Sequence, residues 1–96
     1  MPEAIGLKTI VVACKDTVSC PLGDEAAILH IGRGTYYGLD PVGAHIWSLL
    51  EKPRPVEELR AAVLMEYDVE PSRCETDLLA LLEKMRSEGL IEIPTA

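Results

Sequence analysis

At Asp40-Pro41 the chain changes its periodicity, and that switch constrains the fold more than any other feature. Before it, apolar and polar residues alternate in short runs punctuated by glycine; after it, apolar residues recur every three or four positions. Asp40 is an N-cap acid, and Pro41 suits the first helical position because its missing N–H would be unpaired there anyway. Val42, Ile46, Leu49 and Leu50 follow at helical spacing, which predicts a first helix over about residues 41–51. Gly43 has no capping duty so early in a helix, so it is either tolerated or marks a place where another backbone passes close by.

Upstream of the switch, Thr17–Leu22 alternates, meets a Gly23-Asp24 turn signal, and is followed by the apolar-rich residues 25–31, which predicts a β-hairpin. Pro21 cannot donate a ladder hydrogen bond, so its strand is an edge or ends there. Gly32-Arg33-Gly34 supplies two residues that accept positive φ, and Thr35–Leu39 carries strong strand formers, giving a third strand. Residues 9–13 are apolar and β-branched, which fits a strand or a lone extended arm over about residues 1–13.

Downstream, Lys52-Pro53-Arg54-Pro55 is a breaker, since each proline removes a donor and pushes its predecessor away from helical angles. A second helix starts at Pro55 with Val56, Leu59, Val63 and Tyr67 on one stripe. Ser72 followed by Glu75 is a capping-box pattern, so a third helix begins near Ser72. Cys74, Leu78, Leu81, Leu82 and Met85 share one arc of its wheel, Leu79 falls outside, Gly89 provides the stop, and residues 90–93 fit a short closing strand. The expected architecture is α+β: a winged helix-turn-helix in which a three-stranded antiparallel sheet is followed by three helices, in one domain over residues 1–96.

Composition narrows the function. Ninety-six residues support one hydrophobic core, and 48% hydrophobic with 26% charged residues is ordinary globular usage. Sixteen acidic residues against nine basic ones give a net charge of -7, which repels nucleic acid and anionic membranes and favours a polypeptide partner. The third helix carries Arg73, Lys84 and Arg86 against Glu75, Asp77, Glu83 and Glu88, so as a recognition helix it would bring net negative charge to phosphates. No apolar run approaches the roughly 20 residues that span a bilayer, and no basic-then-apolar start marks secretion, so a cytoplasmic protein is expected.

Cys14, Cys20 and Cys74 show neither CxxC nor Cys/His clustering, so no metal is expected, and Cys74 reads as a core residue beside Leu78 and Leu82. His30 and His45 have no acid or nucleophile beside them in sequence. With no Ser-His-Asp arrangement, HExxH or phosphate-cradling loop, neither catalysis nor a cofactor is expected.

The run from Tyr37 to Trp47 (Tyr-Gly-Leu-Asp-Pro-Val-Gly-Ala-His-Ile-Trp), with Pro55-Val56-Glu57-Glu58-Leu59, Tyr67-Asp68-Val69, Asp77-Leu78 and Gly89-Leu90-Ile91, resembles the PqqD-like family. The match covers about residues 17–93 and looks like a stand-alone RiPP recognition element, the small domain that captures leader peptides of ribosomally made, modified natural products. Asp40, where members often have Asn, and Pro55, where they often have Thr or Ser, are capping departures; His30 stands where the family often has an acid. The Tyr-Tyr-Gly-Leu and Ile-Trp signatures are similar to those of the B1 proteins of lasso-peptide clusters, which deliver precursor to a separate B2 leader protease. The alternatives are a PqqD-type chaperone serving a radical-SAM enzyme in pyrroloquinoline quinone assembly, and a winged-helix DNA-binding regulator.

The resemblance implies that a leader adds as a strand beside the third strand and lies against the third helix. Carried onto this chain, the binding residues are Thr35, Tyr36, Tyr37, Gly38, Leu39, Asp77, Leu78, Leu81, Lys84 and Met85. Strand hydrogen bonds alone do not offset the entropy of ordering about ten peptide residues, so an aromatic or Leu/Pro-bearing leader with buried apolar anchors is expected. Tyr37 and Leu39 share one strand face and Tyr36 the other, but period two does not say which face meets the helices. Leu78, Leu82 and Met85 also fit core packing; Asp77, Leu81 and Lys84, at one margin of the stripe, are the better groove candidates.

Overall fold

The meander forms where the turn chemistry places it. In the computed structural model, which describes residues 4–94, β1 is Ile10–Ala13, β2 Thr17–Leu22, β3 Glu25–His30 and β4 Thr35–Leu39. Strands β2, β3 and β4 pair antiparallel in that order, with Leu22 opposite Glu25 across a two-residue loop in which Gly23 takes φ 69. Of the two glycines expected to take positive φ in the next turn, only Gly34 does (φ 64); the turn closes on an N–H of Gly34 donating to the His30 carbonyl at 2.8 Å. The strand expected third in order is thus β4, preceded by a strand from the N-terminal segment.

That segment is not a loose arm. β1 lies between β5 (Arg54–Pro55) and β6 (Ile91–Glu92) in a second antiparallel sheet, with Val11 fully buried. The proline-rich breaker therefore doubles as a strand: Pro55 has extended angles (φ -70, ψ 147), and the strand sits at a sheet edge, where a missing donor costs least. The backbone N–H of Ile5 also donates to the Glu83 carboxylate at 3.1 Å. Residues 1–3 of the expected arm lie outside the described residues.

Helix α1 spans Pro41–Leu49, α2 Val56–Glu66 and α3 Pro71–Ser87. Asp40 caps α1 by accepting from the Gly43 N–H at 2.7 Å. Gly43 owes its place to that cap and not to a neighbouring backbone: a Cβ there would stand 3.2 Å from the Asp40 carboxylate and 3.4 Å from the Leu39 side chain. The capping box expected at Ser72 and Glu75 does not form. Pro71 takes the first helical position, one residue earlier than expected, and the Ser72 hydroxyl donates to the Glu70 carboxylate instead. Leu79 is half-buried against the core despite lying off the main arc.

Ile28 from the meander, Ile46 and Leu50 from α1, Val56 and Leu59 from α2 and Leu82 and Met85 from α3 form the core. Gly89 (φ 76) ends α3, and the β3–β4 turn docks on it, since a Cβ there would lie 3.2 Å from both the Arg33 guanidinium and His30 Nε2. His30, itself buried, accepts the Arg33 backbone N–H on Nδ1 at 3.2 Å. Among the described residues no helix is long and apolar enough to cross a membrane.

Candidate functional site

Strand β4 pairs with β3 on one side only, and its outer edge meets no strand among the described residues. Its inner face is the one carrying Tyr37 and Leu39, both half-buried, while Tyr36 is 75% exposed on the opposite face. At the far end of α3 the Tyr37 hydroxyl donates to the Glu88 carboxylate at 2.7 Å, fastening β4 to the helix terminus. Toward the N-terminal half of α3 no such tie is made, and a groove of about 430 Å³ opens between the two elements.

The groove is apolar at its base and charged at its rim. Leu39 from β4, Val42 and Ile46 from α1, Val63 from α2, and Leu78 and Leu81 from α3 supply hydrocarbon. Asp40, Arg73 and Asp77 supply charge, with Arg73 and Asp77 in an exposed pair at 3.7 Å that contributes little to stability. Cys74 also lines it; burial pushes its thiol above the ordinary value, partly offset by the Arg60 charge and reinforced by Asp77 and Glu75.

Of the ten residues inferred from sequence, Gly38, Leu39, Asp77, Leu78 and Leu81 meet at this groove. Tyr36 points to the opposite face of the sheet, Thr35 and Lys84 are exposed away from the groove, and Met85 is a core residue, 2% exposed. Tyr37 anchors the end of the groove and is not part of its lining. Val42, Ile46, Val63 and Cys74 join it without having been singled out for the groove, because each sits on a helix whose periodicity reads equally well as core, and Val69 joins from the α2–α3 connection. Val69 had one usable signal: an apolar residue in a polar connection, left 41% exposed.

Among the described residues no group of three or more His, Cys, Asp or Glu side chains is placed to hold a metal ion. No curated protein shows a significant match to the chain. The structure of TbiB1 in complex with the TbiA(beta) leader peptide is similar to it, with a TM-score of 0.80 and 38% identity over 88% of this chain and 99% of that one. A lasso peptide synthetase B1 complexed with its leader peptide shares the fold, with a TM-score of 0.75 and 20% identity over 85% of this chain and 96% of that one. The family model for coenzyme PQQ synthesis protein D (PqqD) matches residues 25–91, a span that runs from β3 through the groove to β6. On that match the chain belongs to the PqqD family.

Proposed function

We propose that this protein is a non-catalytic adaptor that captures the leader segment of a RiPP precursor and delivers it to a processing enzyme, a B2-like leader protease of lasso-peptide biosynthesis. One observation carries the reading: a vacant strand edge borders an apolar groove in a chain 38% identical to a protein solved with its leader peptide. The leader adds to β4 as a fourth strand, so backbone hydrogen bonds fix its register and direction irrespective of most of its side chains. Apolar leader side chains then enter the groove over Leu39, Leu78 and Leu81, each contributing roughly 1.5–3 kcal/mol. Asp77 and Arg73 at the rim select among leaders by charge, a smaller contribution of about 0–1 kcal/mol.

Binding without turnover is the signature. Titrating a fluorescently labelled precursor leader with the purified protein gives a saturable rise in anisotropy and no cleavage of the leader. A proline placed at a leader residue that donates to β4 weakens binding about tenfold, because it removes a ladder donor and its ring obstructs the pairing. A leader that gives no saturable response overturns the reading. The family description favours a second destination, a PqqD-type role beside a radical-SAM enzyme. The two separate on which purified enzyme forms a ternary complex with the loaded adaptor.

A further inference from the structure

The outer face of the meander, opposite the face that carries Ile28 and Tyr37, is apolar and open beside the same vacant strand edge. Its middle row crosses three strands as Val18, Leu29 and Tyr36, with Val18 50% and Tyr36 75% exposed and Leu29 half-buried. The next row is Cys20, Ala27 and Gly38, and neither row contains Asp, Glu, Lys or Arg.

Hydrogen-bond parity decides which β4 groups are available at that edge. The two-residue loop makes Leu22 and Glu25 a bonded pair, so alternation along β3 and β4 assigns the backbone groups of Thr35, Tyr37 and Leu39 to β3. Those of Tyr36 and Gly38 are left for a strand added outside β4. Such a strand has a period of two whichever way it runs, so alternate side chains fall on the outer face beside Tyr36 and Gly38 and the others enter the groove. Gly38 points to an outer position kept clear for something beyond this chain. Its φ is not positive and a Cβ there would meet nothing within 4 Å among the described residues, so neither conformation nor internal packing requires glycine. Glycine inside a strand lowers stability, and where the fold does not call for it, it marks the close approach of a ligand or a second backbone.

We propose that the leader is held on both faces of the sheet: one large apolar side chain lies across Gly38 against the Tyr36 ring on the outer face, while its neighbours in sequence point into the groove. This rests on the adaptor reading and adds to it the chemistry a leader must carry, an outer apolar residue flanked by inner anchors. An apolar side chain laid over a strand glycine and against a cross-strand aromatic supplies the cover that the missing side chain withholds. A leader with a small or charged residue at that position still pairs with β4 but loses this contact. Tyr36 and Gly38 thus discriminate among leaders that the groove alone would accept. Val18, in the same row, stands three strand spacings from the leader, about 14 Å, and is out of its reach.

Anisotropy of the labelled precursor leader tests this. Tyr36→Ser weakens binding about fivefold. Gly38→Val weakens it about tenfold yet leaves the melting temperature unchanged or higher, because valine suits the strand and fills the space the leader uses. Val18→Ser, which removes apolar surface from the same face beyond the leader's reach, leaves the affinity unchanged. An alanine scan of the leader finds one position whose loss disappears in the Tyr36→Ser background, while the positions on either side keep their full loss there. Unchanged affinity in both β4 variants, with the unaltered chain still binding, overturns the outer contact and leaves the adaptor reading standing; no binding by the unaltered chain overturns both. Equal weakening by Val18→Ser and Tyr36→Ser means that a second copy or another protein covers the whole face, and it overturns the proposal, as does a scan in which no leader position couples to Tyr36.

Discussion

The two hollows flanking α1 are similar in size and opposite in chemistry. The groove toward α3 is hydrocarbon at its base with an internally paired rim, and it opens beside a vacant strand edge. The cleft toward the β2–β3 hairpin has His45 and Tyr67 in edge-on contact and the exposed carboxylates Asp24, Glu25 and Glu51 in its lining. One helix supplies both because Val42 and Ile46 project to one side while Ala44, His45 and Ser48 project to the other. The difference teaches what each hollow suits: hydrocarbon beside an open strand edge matches an extended chain with apolar side chains, whereas exposed carboxylates stay hydrated and leave the other hollow polar.

The comparison breaks most severely with Leu81→Asp. A carboxylate in the groove removes an apolar contact and faces desolvation when the leader seats, so leader affinity falls about a hundredfold by anisotropy. A loss accompanied by a changed circular dichroism spectrum means a misfolded variant, and an affinity that does not move means that the leader does not use the groove. Glu51→Lys, in the other hollow, leaves leader anisotropy intact.

Tyr37→Phe sharpens the contrast at smaller cost. It deletes the hydroxyl that ties β4 to Glu88, which lowers stability by about 1 kcal/mol and the melting temperature by about 4–8 °C. Leader affinity drops about threefold as β4 loses its hold on α3, while the cleft is untouched. A melting temperature that does not move shows that the bond contributes nothing.

The smallest effects belong to the thiols. Cys20 is exposed on the sheet and Cys74 is buried in the groove wall with its ionisation pushed up, chiefly by desolvation. Alkylation near neutral pH therefore modifies Cys20 first, and saturating leader slows Cys74 further without affecting Cys20. Because the folded chain holds the Cys74 proton more tightly than the unfolded chain does, the associated stability is full below the ordinary thiol range. It is lost as pH rises through the elevated folded value. Cys74→Ala removes that alkaline decline, measured by urea unfolding across pH.

Legibility tracked the locality of each cause. The Gly23-Asp24 turn, the alternation of Thr35–Leu39, the Asp40-Pro41 start of α1 and the stripe on α2 are each written within a few residues, and each appears where its pattern places it. Gly43 misled because its neighbours are its own cap and Leu39, not a second backbone. Ser72 misled because Pro71 competes for the same helix start. Leu81 and Asp77, at the margin of an apolar arc, could be singled out as groove residues, whereas Met85 in the middle of that arc went to the core.

What the sequence determined by itself was most of the inventory: the three strands of the meander and the three helices, but not the strand at Arg54–Pro55. Tertiary structure alone decided that residues 10–13 pair with Arg54–Pro55 and Ile91–Glu92, and so leave the outer β4 edge without a strand neighbour among the described residues. It also decided that Tyr37 and not Tyr36 faces inward, and that α1 separates two hollows. Periodicity encodes which residues share a face of their own element, but a face acquires its neighbour only when elements distant in sequence pack together. Strand pairing and groove formation are therefore non-local, fixed by where buried side chains such as Ile28, Ile46 and Leu82 come together.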